Sequence, residues 1–214
     1  MQNNIIQKWR IILANKQFRY SLFGVILLLI VQMSFISYFQ AKVELRDGVV
    51  FNDPIMHHFP AIPLDIPIFI AIYSANFLAI YLAFKKPEIF LHIAIGYLLV
   101  YFFRILSIFL LPLNPPTDII ILKDPILYWF GGGDITKDLF YSGHTSSVFM
   151  GFLITENKKA KIFIGIALIV TILGILLQKV HYSIDVYAAL FFTYTAYRIA
   201  LFTKNKILKN VSTK

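Results

Sequence analysis

The chain has 214 residues, 58% of them hydrophobic and 16% aromatic, with 20 Lys and Arg against 11 Asp and Glu for a formal net charge of +9. So much apolar surface with so little charge excludes an ordinary soluble domain and implies an integral membrane protein. The basic residues cluster beside apolar runs, where they set orientation and meet anionic lipid head groups, so the charge does not imply a nucleic-acid partner. With no cysteine, disulfides and thiol chemistry are excluded.

In chain order, residues 1–19 form a basic segment in which Lys8, Arg10, Lys16 and Arg19 alternate with Ile5, Ile6, Trp9, Ile11 and Ile12. That pattern predicts a helix lying in the membrane interface. Six spans are predicted to follow within one domain over 20–203, the first being the uncharged run Tyr20–Gln40. Its roughly 21 residues suffice to cross a hydrocarbon core of about 30 Å. A loop from Ala41 to Asp65 carries Asp53-Pro54 and His57-His58. The second span is Ile66–Phe84 and the third Ile89–Leu111, closed by a proline cluster. The loop 112–137 holds Tyr128-Trp129-Phe130, an interfacial aromatic cluster, and then Gly131-Gly132-Gly133. The fourth span is Leu139–Thr155, the fifth Ile162–Gln178 and the sixth Tyr182–Phe202, with a basic tail over 204–214. The fold class expected is therefore all-α, a polytopic bundle of six transmembrane helices.

Fourteen of the 20 Lys and Arg fall at the termini or in the second–third and fourth–fifth connections. The positive-inside rule then places both termini in the cytoplasm. With these directions, Arg104 of the third span, His144 of the fourth, and His181 and Asp185 of the sixth meet at similar depth beneath the outer face. Ionisable groups at membrane depth are costly and read as functional by default.

The chemistry of these residues is complementary. Asp185, four residues after His181, is spaced to hold one imidazole nitrogen and leave the other nucleophilic. Arg104 offers a fork of donors matched to phosphate oxygens. Ser142 and the Gly143 amide, at a helix start, suit further oxygens of a pentacoordinate transition state. His144 is placed to protonate a leaving alkoxide. Together the parts fit phosphoryl transfer through a phosphohistidine, with neither metal nor cofactor required.

Ser142-Gly143-His144-Thr145 preceded by Asp138-Leu139-Phe140, with His181-Tyr182-Ser183-Ile184-Asp185-Val186 about 37 residues later, resembles the sphingomyelin synthase-like branch of the type 2 phosphatidic acid phosphatase superfamily. The run Tyr101–Ser107 around Arg104 and the stretch Arg46-Asp47-Gly48…Asp53-Pro54 also resemble that branch. The resemblance implies a six-span bundle with its site at the extracytoplasmic leaflet, in the plasma (inner) membrane. It further implies His181 as nucleophile, Asp185 as its orienting partner and His144 as general acid. Ile175 stands where the superfamily's phosphatases carry an arginine, only Arg104 is found where they pair a lysine with Arg-Pro, and Thr136-Lys137 stand where the synthases have Cys-Gly.

The function implied is transfer of a phospho-head group from a phospholipid donor to a lipid alcohol such as ceramide or diacylglycerol. A lipid phosphate phosphatase, with water as acceptor, and a non-catalytic lipid-binding or transport protein are the alternatives. Several residues also admit plain structural roles: Arg104 as the partner of a loop acid, Ser142 as a helix cap, Asp138 as a first-turn acid favoured by the helix dipole, and Gly131-Gly132-Gly133 as a flexible loop rather than a phosphate nest. His57-His58 reads as a loop or interface feature rather than a metal site, and His92 and Arg198 as packed or snorkelling groups near the cytoplasmic end.

Overall fold

The computed structural model describes residues 5–125 and 134–212, so Tyr128-Trp129-Phe130 and Gly131-Gly132-Gly133 lie outside the described residues. Among the described residues the architecture has seven α-helices: α1 Ile5–Ala14, α2 Lys16–Glu44, α3 Asp65–Phe84, α4 Pro87–Leu110, α5 Gly143–Ile154, α6 Lys158–Leu177 and α7 Ser183–Ser212. Two two-residue strands, β1 (Val49–Val50) and β2 (Leu113–Asn114), pair in parallel and tie the α2–α3 connection to the segment after α4. Among the described residues four helices, α2, α3, α4 and α6, are long and apolar enough to cross a membrane.

Helix boundaries follow local chemistry. Asn15 caps α2, its side chain accepting from the Gln17 and Phe18 amides, which separates α1 from α2. Pro87 opens α4 at a position whose amide would be unpaired in any case. Asn157 caps α6 through the Ala160 amide. The other end of α6 closes in a Schellman motif: Val180 N–H donates to Ile175 O and Lys179 N–H to Leu176 O, with Lys179 in the left-handed region at φ 57°.

Two expectations about extent are corrected. The predicted fourth span, Leu139–Thr155, contains a helix only from Gly143, because Ser142 caps it and the preceding residues are non-helical. The stretch 204–214, expected as a tail, continues α7 as helix to Ser212, since it carries Lys204, Lys206 and Lys209 and holds neither Pro nor Gly before that point.

The short connections α3–α4, α5–α6 and α6–α7 make sequential helices antiparallel. α5 lies at the centre, touching α3, α4, α6 and α7. Small residues let the helices approach: Ala71, Ala75, Ala79 and Ala83 recur every four residues along α3 and are all buried. A Cβ on Gly151 would lie 2.9 Å from the Ala79 Cβ, and one on Gly174 would lie 2.5 Å from Ile68 Cγ1. At one end of the bundle Lys86 pairs with Glu156, joining two connections, and Trp9 of α1 donates to Phe84 O (2.9 Å). The other end holds the start of α5, the start of α7 and the strand pair.

Candidate active site

Two helix starts meet here. Ser142 is the N-cap of α5: its Oγ accepts from Thr145 N (3.3 Å) and its carbonyl accepts from the Ser146 amide and hydroxyl. Its own N–H donates to the main-chain oxygen of Asp185 (3.3 Å), which fastens the start of α5 to the first turn of α7. The amides of Gly143 and His144, first in α5, face out of the helix N-terminus, where a helix favours negative charge.

His181 precedes α7 instead of sitting in it, so the four-residue spacing to Asp185 is not a pairing along one helix. The contact forms because Asp185, third residue of α7, folds back over the helix start. Its Oδ2 accepts from the Tyr182 amide (3.1 Å), one half of a capping box, and lies 3.2 Å from His181 Nδ1. A carboxylate can only accept, so Nδ1 carries the proton and Nε2 presents its lone pair. His181 is 3% exposed and Asp185 fully buried.

The His144 ring stands across from His181, centroids 5.8 Å apart at 63°, and meets Phe69 edge to face. That separation lets both imidazoles touch one phosphoryl group. Arg104 reaches in from α4, and Gly143 is where it lands: a Cβ at 143 would lie 1.8 Å from Arg104 Nη1. A cation over the positive end of a helix needs an anion. Asp138 supplies it, Oδ1 at 2.7 Å from Arg104 Nη2, while its Oδ2 accepts from Gln40 Nε2 of α2 (3.1 Å). Arg104 Nε, His144 Nδ1, Thr145 Oγ1 and Asp185 Oδ1 are buried without a protein hydrogen-bond partner. Polar atoms so placed are set to receive a polar ligand.

The structure thus gathers Arg104, Asp138, Ser142, Gly143, His144, His181 and Asp185 at one end of the bundle. Asp138 hydrogen-bonds Arg104 and Gln40, not the histidine rings. Ser142 is occupied as a cap. Ile175 is fully buried in the apolar core, so no cation stands at that position.

Two further residues carry the site although their sequence context gives them no role. Asp53, 2% exposed, places Oδ2 2.5 Å from the Ser183 amide at the start of α7, while Oδ1 accepts from Ile55 and Met56 N–H (2.9 and 3.3 Å). Burial pushes this carboxyl upward, but the amide hydrogen bonds outweigh it and hold Asp53 below the ordinary carboxylate range. Tyr182 accepts from Phe51 N–H (3.2 Å) and donates to Asn114 O (2.8 Å), fixing the α6–α7 turn to β2 and to the residue that follows β1. An Asp-Pro turn was the signal available for Asp53; nothing local marks Tyr182.

The other residues considered lie apart. His57 Nε2 bonds Asn52 Oδ1 (2.8 Å), and among the described residues no three His, Cys, Asp or Glu side chains converge as a metal site. His92 bonds Tyr197 O (3.1 Å), and Arg198 bonds the Tyr194 hydroxyl (3.1 Å); both lie on the halves of α4 and α7 remote from the site.

Residues 137–202 match the family model described as PAP2 superfamily C-terminal. The match spans Asp138, the Ser142–His144 turn, His181 and Asp185, and leaves Arg104, Asp53 and Gln40 outside it. No curated protein and no solved structure matches the chain. The family match and the apolar helices together indicate an integral membrane protein with phosphatase or phosphotransferase-type chemistry.

Proposed function

We propose that the protein is a lipid phosphotransferase of the sphingomyelin synthase-like kind. His181 Nε2 attacks the phosphorus of a phospholipid, forming an N–P bond as the P–O bond to the lipid alkoxide breaks. His144 gives its proton to that alkoxide. A second lipid alcohol, ceramide or diacylglycerol, then loses its proton to His144 and attacks the same phosphorus, releasing His181. Arg104 and the first amides of α5 hold the equatorial oxygens. The observation that carries this reading is the Asp185-held His181 facing His144 across the α5 N-terminus.

In this reading α2 to α7 all cross the membrane, both termini are cytoplasmic, and the site faces the extracytoplasmic leaflet. Helix α5 is about 18 Å long at 1.5 Å per residue, so the non-helical residues before it complete that crossing. Lipid phosphate phosphatase activity, with water attacking the phosphohistidine, is the second reading, favoured by the family match. Transfer is preferred because His181 is nearly covered and Ile175 leaves no cation at the phosphatase position.

The test supplies purified protein with labelled phospholipid, with and without ceramide or diacylglycerol. Acceptor-dependent head-group transfer supports the first reading; release of phosphate or phospho-alcohol without acceptor supports the second. No product, with His181→Ala equal to the parent, sinks both. Activity is expected to follow a bell-shaped pH profile, since His181 acts unprotonated and His144 protonated.

A further inference from the structure

A groove of about 530 Å³ runs between α2 and α4 on the outside of the bundle, within the range of small-molecule sites. Phe35, Phe39, Phe102 and Leu106 give it apolar walls, and Lys42 and Arg46 line it toward the end that holds the candidate active site. Phe39 and Ile105 also line a smaller cavity of about 40 Å³ whose far wall is Arg104 and Asp138. Two side chains therefore separate an apolar groove from the arginine of the site.

The basic residues are not fully explained by helix capping. Arg46 donates through both Nη groups to the carbonyls of Ile108 and Phe109 and so caps α4, but its Nε is buried without a partner. Lys42 is exposed, its ammonium over the Tyr38 ring. Lys137 adds a third cation, donating to Arg46 O (2.6 Å). Of the nearby acids, Glu44 is engaged by the Thr136 and Lys137 amides and the Thr136 hydroxyl, leaving Asp47, which is exposed.

We propose that this groove seats an acyl chain of the donor, and that the donor is a net-anionic phospholipid rather than a zwitterionic choline lipid. The inference rests on the lipid-phosphotransferase reading for the word donor; the groove and its charge stand on their own geometry. An acyl chain fits the apolar wall, the phosphate falls at the level of Arg104, and a further negative or uncharged head group meets Lys42 and Arg46. A quaternary ammonium there would face like charge, and such pairings are disfavoured.

The experiment uses full-length protein in detergent and phosphatidylglycerol bearing a photoreactive acyl chain, beside its phosphatidylcholine counterpart, with labelled peptides mapped by mass spectrometry. Labelling is expected within residues 35–46 and 102–109. Phosphatidylglycerol should exceed phosphatidylcholine by about fivefold, the factor that two partly exposed charge contacts supply. Leu106→Trp, which fills the groove, should remove the labelling, and Lys42→Gln should reduce the head-group preference without altering the fold. Labelling spread evenly over the membrane-facing helices, or unchanged by Leu106→Trp, overturns the proposal. Cross-links joining two chains at these segments overturn it in favour of a second copy as occupant. Groove labelling without any turnover supports the groove and sinks the enzyme reading alone; turnover with no groove labelling does the reverse.

Discussion

Gly143 and Arg104 compete for one volume: any side chain at 143 would have to displace the guanidinium, since its Cβ would sit 1.8 Å from Nη1. Gly143→Ala is therefore expected to lower kcat/KM about 10²-fold or more by moving a phosphate-holding donor, with little change in Tm. Asp185→Asn should cost about 10²–10⁴-fold, because an amide that donates to His181 Nδ1 places the imidazole proton on the attacking nitrogen. Steady-state kinetics on the purified variants check both. The ionisable residues of this cluster were legible in the sequence because charge at membrane depth is rare, and the span directions brought them to one end. The partner of Arg104 was legible only in kind, as a loop acid. Its identity as Asp138, and the share taken by Gln40, depend on how the 134–142 segment folds back between α2 and α4, which no local pattern encodes.

At the scale of the helices, the turn that carries His181 is held by a loop far away in sequence. Asp53 caps the first amide of α7, 130 residues on, and that helix start carries the His181–Asp185 contact. Removing such a cap costs about 0.5–2 kcal/mol. The sign with pH follows from the lowered carboxyl: the folded state favours the ionised form, so its contribution is complete above the unfolded value of about 4 and fades as pH falls through the lower folded value. Asp53→Ala should lower Tm by a constant amount from pH 5 to 7, and parent and variant should begin to converge as pH falls below about 4. A gap that widens toward low pH would refute this assignment. Close packing at α3–α6 gives a second check: Gly174→Val would force its side chain into Ile68, with a destabilisation of about 1–3 kcal/mol read by thermal unfolding. Helix extents were well marked wherever a cap or a proline bounded an apolar run. They were misjudged at α5, where the apolar run begins before the cap, and at the end of α7, where basic residues continue a helix instead of ending it.

For the whole molecule, the predicted bundle is matched among the described residues in four helices long and apolar enough to span, while crossings by α5 and α7 belong to the proposal. The absence of cysteine makes topology simple to measure. Single cysteines at Lys158 and Lys206 are expected to react with a membrane-impermeant maleimide only after the cells are opened, and one at Asp118 to react in intact cells. The reverse pattern would invert the orientation and move the site to the cytoplasmic leaflet. The central placement of α5 has a consequence for biogenesis. A helix of 12 residues carrying His144 and Ser146 has little tendency to remain in lipid alone, and its seat is walled by α3, α4, α6 and α7. Two of those walls are synthesised after it. In the proposed topology α5 is therefore seated only once α6 and α7 have emerged, and His144 meets His181 no earlier than that.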